Sequence, residues 1–487
     1  MQALPENLYT AAQVREMDRI AIEEKGIPGI GLMAKAAGAV FEQIRLRWPE
    51  LNKLVVFCGG GNNGGDGYVL ARLALAAGCQ IELVSLTGID KLRGDALTAC
   101  RDYLQNGGPI DSLRAQTLAE PCVVVDALLG TGLDREVVGA FAEAIQAINA
   151  CDWPVIAVDI PSGLNADSGQ VMGCAVKADC TVSFIALKRG LFTGEANEYR
   201  GELVYSSLLV PADVAATQAH AAKLIRKPVL PRRNRCAHKG HYGHVLLVGG
   251  DCGYSGAIRM AAEAALRSGA GLVSVATRAD HSHAINIGRP EIMSHAVETV
   301  EQLNALLDKA NVVVIGPGLG QSSWAQALFS RAMAEDVLCV ADADALNLLA
   351  KQPALKHNRV ITPHPGEASR LLGCSSAEIA ADRFAAVTEL QRRYGGVALL
   401  KGAGTLVKDS QDIYLSTTGN PGMASGGMGD VLSGLIGGLL AQGMAMAMAT
   451  RLAVHAHGQA ADIAAANGGE RGLLASDLLA HIRTVLN

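Results

Sequence analysis

At 487 residues the chain exceeds the length at which one hydrophobic core stops growing, which predicts two domains or three. Hydrophobic residues make up 49% and charged ones 18%, excluding a disordered chain, and the net charge of -5 argues against broad binding to a nucleic-acid backbone. Small molecules are the expected partners, with no nucleic acid and no membrane. No apolar run approaches the roughly 20 residues that span a bilayer, and the opening MQALPENLYTAAQVREMD lacks a basic segment followed by an apolar one, so the expected location is the cytoplasm. Eleven cysteines are scattered singly from Cys58 to Cys374 with no C-x-x-C pair; they read as buried thiols, not as a disulfide framework or zinc site.

Thr10 and Gln13 have capping-box spacing, and Val14, Met17 and Ala21 recur on one face of a first helix that ends near Gly26 and Pro28. A β run, LVVFC (54–58), leads through GGGNNGGDG into the helical YVLARLALAAG and a second strand, IELVSL, making a βαβ unit. VVVDALLG (123–130) and VIAVDIPSG (155–163) each end in an aspartate and a glycine, with the helical FAEAIQAIN between them. Such alternation predicts a parallel sheet with helices on both faces and ligands at the carboxyl ends of its strands, where Asp126 and Asp159 fall.

The rhythm lapses between Pro211 and His244, a stretch rich in Pro, Arg and His that marks the domain boundary. It resumes with HVLLVGG, a helix from Ser255 to Ser268, and then GLVSVAT, NVVVIGPGLG, LCVADADAL, RVITPHPGE and GVALLKGAGT. The fold class expected is α/β, an N-terminal Rossmann-like three-layer domain followed by a second three-layer domain.

GNPGMASGGMGD (419–430) packs glycines and a carboxylate against the start of the apolar VLSGLIGGLL. Backbone N–H groups at a helix start form an anion site, and a carboxylate beside bound phosphate is repelled unless it has a task, such as taking a proton from a hydroxyl that attacks phosphorus. Alone, Asp430 is as readily an N-cap. Lys401-Gly402-Ala403-Gly404-Thr405 and Gly316-Pro317-Gly318-Leu319-Gly320 end two further strands, and the three turns together describe a nucleotide cleft. There is no G-x-x-x-x-G-K-[ST], so the chain is not a P-loop enzyme.

KGHYGHVLLVGG, YSGAIRMAAEAALRSGAGLVSVAT, GPGLG, TPHPGE, KGAGT and NPGMASGGMGD, in this order over about 190 residues, resemble the ribokinase-like ADP- or ATP-dependent NAD(P)H-hydrate dehydratases. The resemblance implies that Lys401, Gly402, Ala403, Gly404, Thr405 and Gly429 hold the adenine nucleotide, with Mg2+, while Ala257, Gly318, His364 and Asp430 face the hydrated dinucleotide. Asp430 is then the catalytic base. A lone His such as His364 is more often a core residue, but its place at a strand end points to a ligand contact.

Gly59-x-Gly61-x-x-Gly64 has the spacing of a dinucleotide turn, yet Glu82 falls near the start of its strand rather than its end, and Asn62, Asn63 and Asp66 add polarity that such a turn does not need. GGGNNGGDG, DALLGTGLDRE and DIPSGLNADSG resemble instead the NAD(P)H-hydrate epimerase domain. That resemblance implies substrate contacts from Asn62, Asn63, Gly64, Gly65 and Asp66, from Gly130, Thr131, Gly132, Leu133, Asp134, Arg135 and Glu136, and from Asp159, which is also a catalytic candidate. It further implies a potassium ion on Asn63, Asp126 and Ser162, and oxygen-only ligands suit such a hard cation. Family members often read LME-x-AG where this chain has Leu32-Met33-Ala34-Lys35-Ala36-Ala37.

His238-x-x-His241-x-x-His244 is set aside as a metal site because Gly240 and Gly243 break any helix there, and His455-x-His457 because residues two apart on a helix do not share a face. MAMAMA (444–449) reads as packing. Taken together, the resemblance implies an epimerase domain over residues 1–218 and a dehydratase domain over 222–487, acting on the hydrates NADHX and NADPHX with ADP or ATP as co-substrate. A homo-oligomer is expected. Residue chemistry alone also fits a ribokinase-like kinase of a small vitamin or sugar.

Overall fold

The first helix starts where its cap is written. In a computed structural model describing residues 4–114, 117–227 and 229–487, the Gln13 side chain accepts from Thr10 N–H at 2.9 Å while Thr10 Oγ1 accepts from Gln13 N–H, closing the box ahead of Ala11–Arg19. The helix then widens into one π turn, Ile20–Glu24, before the chain turns at Gly26. All candidate site residues lie within the described residues. The chain divides into two compact units, Met1–Lys223 and Leu224–Asn487.

In the first unit six parallel strands run in the order Gln80–Ser85, Lys53–Cys58, Val123–Ala127, Val155–Val158, Cys180–Phe184 and Glu202–Ser206. Alternate residues serve opposite faces: Leu54, Val56, Val123 and Val125 join one buried cluster, Val55, Phe57 and Val124 the other. The short strand Leu187–Lys188 pairs in parallel with Asn7–Tyr9, setting Lys188 opposite Tyr9.

The second unit orders its strands Met293–Ala296, Leu272–Thr277, His244–Val248, Val312–Ile315, Leu338–Ala341, Arg359–Ile361 and Val397–Leu400, all parallel, followed by the antiparallel Leu406–Lys408 and Ile413–Leu415. Helix Met428–Ala441 carries VLSGLIGG into the core. A Cβ on Gly434 would stand 1.9 Å from the Ala261 carbonyl oxygen and one on Gly437 2.4 Å from Val314, so these glycines let the helix lie directly on helix Ser255–Arg267 and on the sheet.

Two expectations are corrected. Of the cysteines, Cys58, Cys100, Cys122, Cys180 and Cys339 are buried, but Cys236 and Cys252 are exposed, because they lie in loops that offer no apolar face. His244 begins its strand, as the run HVLLVGG implies, and bonds Ser274 Oγ at 2.9 Å. Within MAMAMA, Met444 and Met446 pack on the core while Met448 is exposed, since the helix from Met446 turns that position outward.

Candidate active sites

Strand order in the first unit reverses between Lys53–Cys58 and Val123–Ala127, the place where open α/β sheets leave a crevice. A cavity of about 450 Å³ opens there, walled by Asn62, Asn63 and Asp66 on one loop, by the run from Gly130 through Thr131, Gly132, Leu133 and Asp134 to Arg135 on the next, and by Asp159. Three expected contacts are not on its wall. A Cβ on Gly64 would stand 2.1 Å from the Gly59 carbonyl oxygen and one on Gly65 2.9 Å from the Met33 sulfur, so Gly64 serves backbone approach and Gly65 makes room for the Met33 side chain. Glu136 faces solvent as the chain turns Val137 inward. In the departing segment, Leu32, Met33 and Ala36 line the cavity, whereas Ala34 is exposed and off the wall.

Asp159 has φ 68, a left-handed conformation that costs a non-glycine residue on the order of 1–3 kcal/mol and is kept where surroundings enforce it. What enforces it is visible: its Oδ1 accepts from Phe184 N–H at 3.1 Å and from the Lys188 ammonium, which also donates to the Phe184 carbonyl at 3.1 Å. The Lys188 side chain is only 1% exposed. Neither Lys188 nor Asp18, which lines the same cavity, is identified by sequence motif; a lysine set in the apolar run IALKRGLF is the one available signal for the first.

Asp126 is fully buried and, among the described residues, pairs with no cationic side chain: Oδ2 accepts from Ser162 N–H at 2.7 Å and Oδ1 from Ser162 Oγ at 2.5 Å. Burial pushes its carboxyl up to about 6, against those hydrogen bonds. Asn63 is also buried, donates from Nδ2 to the Leu129 carbonyl at 3.2 Å, and leaves Oδ1 without a partner. A buried amide oxygen lacking a donor and a buried carboxylate lacking a counter-charge fit a cation with oxygen ligands.

In the second unit the reversal falls between His244–Val248 and Val312–Ile315. Gly318, at φ 57, sits so close to the first turn of helix Ser255–Arg267 that a Cβ would stand 3.2 Å from that of Ala257. Gly320 N–H donates to Asp344 at 2.9 Å. Lys401 leaves its strand with its ammonium 3.0 Å from Asp342 Oδ1 and 3.8 Å from Glu367 Oε2. Burial alone works against that charge, yet Asp342 and Glu367 outweigh it and hold the ammonium above the ordinary lysine range.

Asp430 lies in the first turn of Met428–Ala441, where Gly427 at φ 91 makes the entry. Burial, then the charge of Asp342, push its carboxyl up to about 7 in spite of Lys401. A base that titrates near neutrality is suited to proton transfer. His364 is an exposed helix cap, not a core residue: Nδ1 accepts from Gly366 N–H at 3.0 Å and the Glu367 carboxylate accepts from its backbone N–H. The loop Gly402-Ala403-Gly404-Thr405 is held from behind by Arg383, a buried guanidinium 3.2 Å from the Gly404 carbonyl that no sequence motif marks. Lys401, Gly429, Asp430 and His364 thus share one locality with Asp342 and Glu367, and Ala257 meets Gly318 beside it.

Two strand-end sites on separate units, one a polar cavity and the other a glycine-rich turn with a base, define a bifunctional α/β enzyme. Residues 245–484 match the family described as NAD(P)H-hydrate dehydratase and 29–190 that described as YjeF-related protein N-terminus. The chain is 49% identical to the bifunctional NAD(P)H-hydrate repair enzyme Nnr of Coxiella burnetii, over 99% of each chain, and 44% identical to that of Escherichia coli, over 100% of this chain and 95% of the other. Its structure is similar to a ribokinase-like superfamily protein of Enterococcus faecalis (30% identity, TM-score 0.50, 53% of this chain and 91% of that one). It also resembles the ADP/ATP-dependent NAD(P)H-hydrate dehydratase of Bacillus subtilis co-crystallised with ATP/Mg2+ (30% identity, TM-score 0.49, 53% and 93%). The chain belongs to the family of bifunctional NAD(P)H-hydrate repair enzymes.

Proposed function

We propose that this chain repairs hydrated NADH and NADPH, with residues 1–218 interconverting the R and S hydrates and residues 222–487 dehydrating the S form at the expense of ADP or ATP. Likeness to the fused bacterial enzymes favours ADP, which gives AMP and phosphate. The observation that carries this reading is Asp430, poised at about 7 where a glycine-rich turn opens a helix.

Hydroxide is a poor leaving group. As Asp430 takes the proton of the ring hydroxyl at C6, the oxygen attacks the terminal phosphorus of ADP and the bond to AMP breaks. The ring nitrogen then drives out phosphate with the C6–O electron pair, and loss of a proton from C5 restores the dihydronicotinamide. Backbone N–H groups of the Gly402–Thr405 turn and of Gly429 suit the nucleotide's phosphates.

Among the described residues no group of three or more His, Cys, Asp or Glu is placed to hold a metal ion. The carboxylates Asp342, Asp344, Glu367 and Asp430, gathered around Lys401, would favour Mg2+ carried on the nucleotide's phosphates. When bound, it offsets phosphoryl charge. In the first unit, potassium on Asn63, Asp126 and Ser162 would give the orphaned Asn63 oxygen a partner and fix three loops together. No helix among the described residues is long and apolar enough to cross a membrane, and a cytoplasmic location belongs to the same reading.

The test is to incubate the protein with the pure S hydrate of NADH, ADP and Mg2+. This reading expects NADH, AMP and phosphate in equal amounts; a stable phosphorylated product without NADH would support a small-molecule kinase instead.

A further inference from the structure

The cavity of the first unit gathers more carboxyl groups than its paired ammonium can neutralise. Asp18 on helix Ala11–Arg19, Asp66 in the first turns of Asn62–Ala76 and Asp159 after Val155–Val158 all line it with Lys188. Asp159 takes the Lys188 ammonium and the Phe184 N–H, whereas among the described residues Asp18 and Asp66 accept no hydrogen bond from the protein. The other charged groups at the wall are Asp95, Asp134, Arg135 and Arg15, and Arg15 is turned to the Thr131 carbonyl at 3.1 Å. Asn63, 8% exposed with its Oδ1 unpartnered, lies on the same wall, so the position read above for potassium adjoins these carboxyl groups.

Resting on the reading of this unit as the epimerase, we infer that Asp18 is the general acid that works with Asp159 as general base, and that Lys188 is the residue that positions Asp159. The C6 carbon of the hydrate bears both a hydroxyl and the ring nitrogen. Asp159 takes the hydroxyl proton, the O–H pair forms a carbonyl, and the C6–N1 bond breaks with its pair going to nitrogen, which takes the proton of Asp18. Rotation about C5–C6 presents the other carbonyl face. Nitrogen then returns its proton to Asp18 as it attacks, and the oxygen recovers its proton from Asp159, so no oxidant or co-reactant is needed.

The electrostatics fit this division. Burial, then the charge of Asp159, push Asp18 up to about 6, so it can give and regain a proton near neutrality. The same two causes, with Asp18 added, push Asp66 well above the carboxylate range.

The experiment supplies the full-length protein with the pure R hydrate, ADP and Mg2+ and follows NADH, with the S hydrate as a control for the dehydratase. Asp18→Asn, an isosteric change at a partly exposed side chain with no protein hydrogen bond, is expected to lower kcat from the R hydrate by about 100-fold or more at little-changed KM. Turnover of the S hydrate stays as in the unaltered protein. The fall in rate as pH rises through about 6 disappears with it, and Asp18→Glu restores part of the rate. Lys188→Arg is expected to keep part of the kcat that Lys188→Met loses. If the unaltered protein turns over the R hydrate no faster than spontaneous epimerisation, the epimerase reading fails and the inference with it. If it is fast and Asp18→Asn matches it, with the pH limb intact, the inference alone is overturned.

Discussion

Lys401 Nζ lies 3.0 Å from Asp342 Oδ1, and a Cβ on Gly429 would stand 3.2 Å from the same nitrogen. The ammonium therefore occupies the space above the first turn of the helix that carries Asp430, and glycine at 429 leaves room for it. Gly429→Ala pushes Lys401 away from the carboxylates it joins. A displacement of that kind costs on the order of 100-fold in turnover, to be read as kcat on the S hydrate with ADP saturating.

Asp430 supplies the pH dependence of the dehydratase. Its carboxyl is raised to about 7, and a base must be ionised to act, so turnover rises with pH through about 7 and levels off above it. Lys401 holds that value down, and Lys401→Met therefore moves the rising limb to higher pH. Asp430→Asn removes the limb and several powers of ten of turnover, while equilibrium binding of ADP persists.

Potassium is expected to act on one reaction of the two. Replacing it with tetramethylammonium, or changing Asn63 to Ala, lowers the rate from the R hydrate and the thermal stability of the first unit, because the buried Asp126 carboxylate is left without a counter-charge. The rate from the S hydrate is unaffected by the same treatments.

Gly64→Ala tests the packing reading of the glycine loop. Its Cβ would meet the Gly59 carbonyl oxygen at 2.1 Å, and backbone on both sides leaves no flexible side chain to yield. Overpacking of this kind costs about 1–3 kcal/mol, expected as a lower first transition in calorimetry with loss of epimerisation.

Much of this was legible in residues whose chemistry is local. The Thr10–Gln13 cap, the apolar strands Leu54–Cys58 and Val123–Ala127, and the glycine turns before Asp430 each carry their signal within a few positions. The strand Cys180–Phe184 and the hairpin Leu406–Lys408 with Ile413–Leu415 escaped because runs of five and three residues are too short for a period to stand out from their neighbours. Asp18, Lys188, Asp342 and Arg383 escaped for a different reason. Each acquires its role from a partner far along the chain, Lys188 from Asp159 and Asp342 from Lys401, and spacing in sequence does not encode such a meeting.

The most direct measurement gives the protein an equal mixture of the R and S hydrates of NADH with Mg2+ and ADP and follows the return of NADH absorbance. One chain carrying both activities predicts complete conversion at a rate beyond spontaneous epimerisation. A trace that halts at half conversion would contradict the epimerase, and no return of absorbance with either ADP or ATP would contradict the dehydratase.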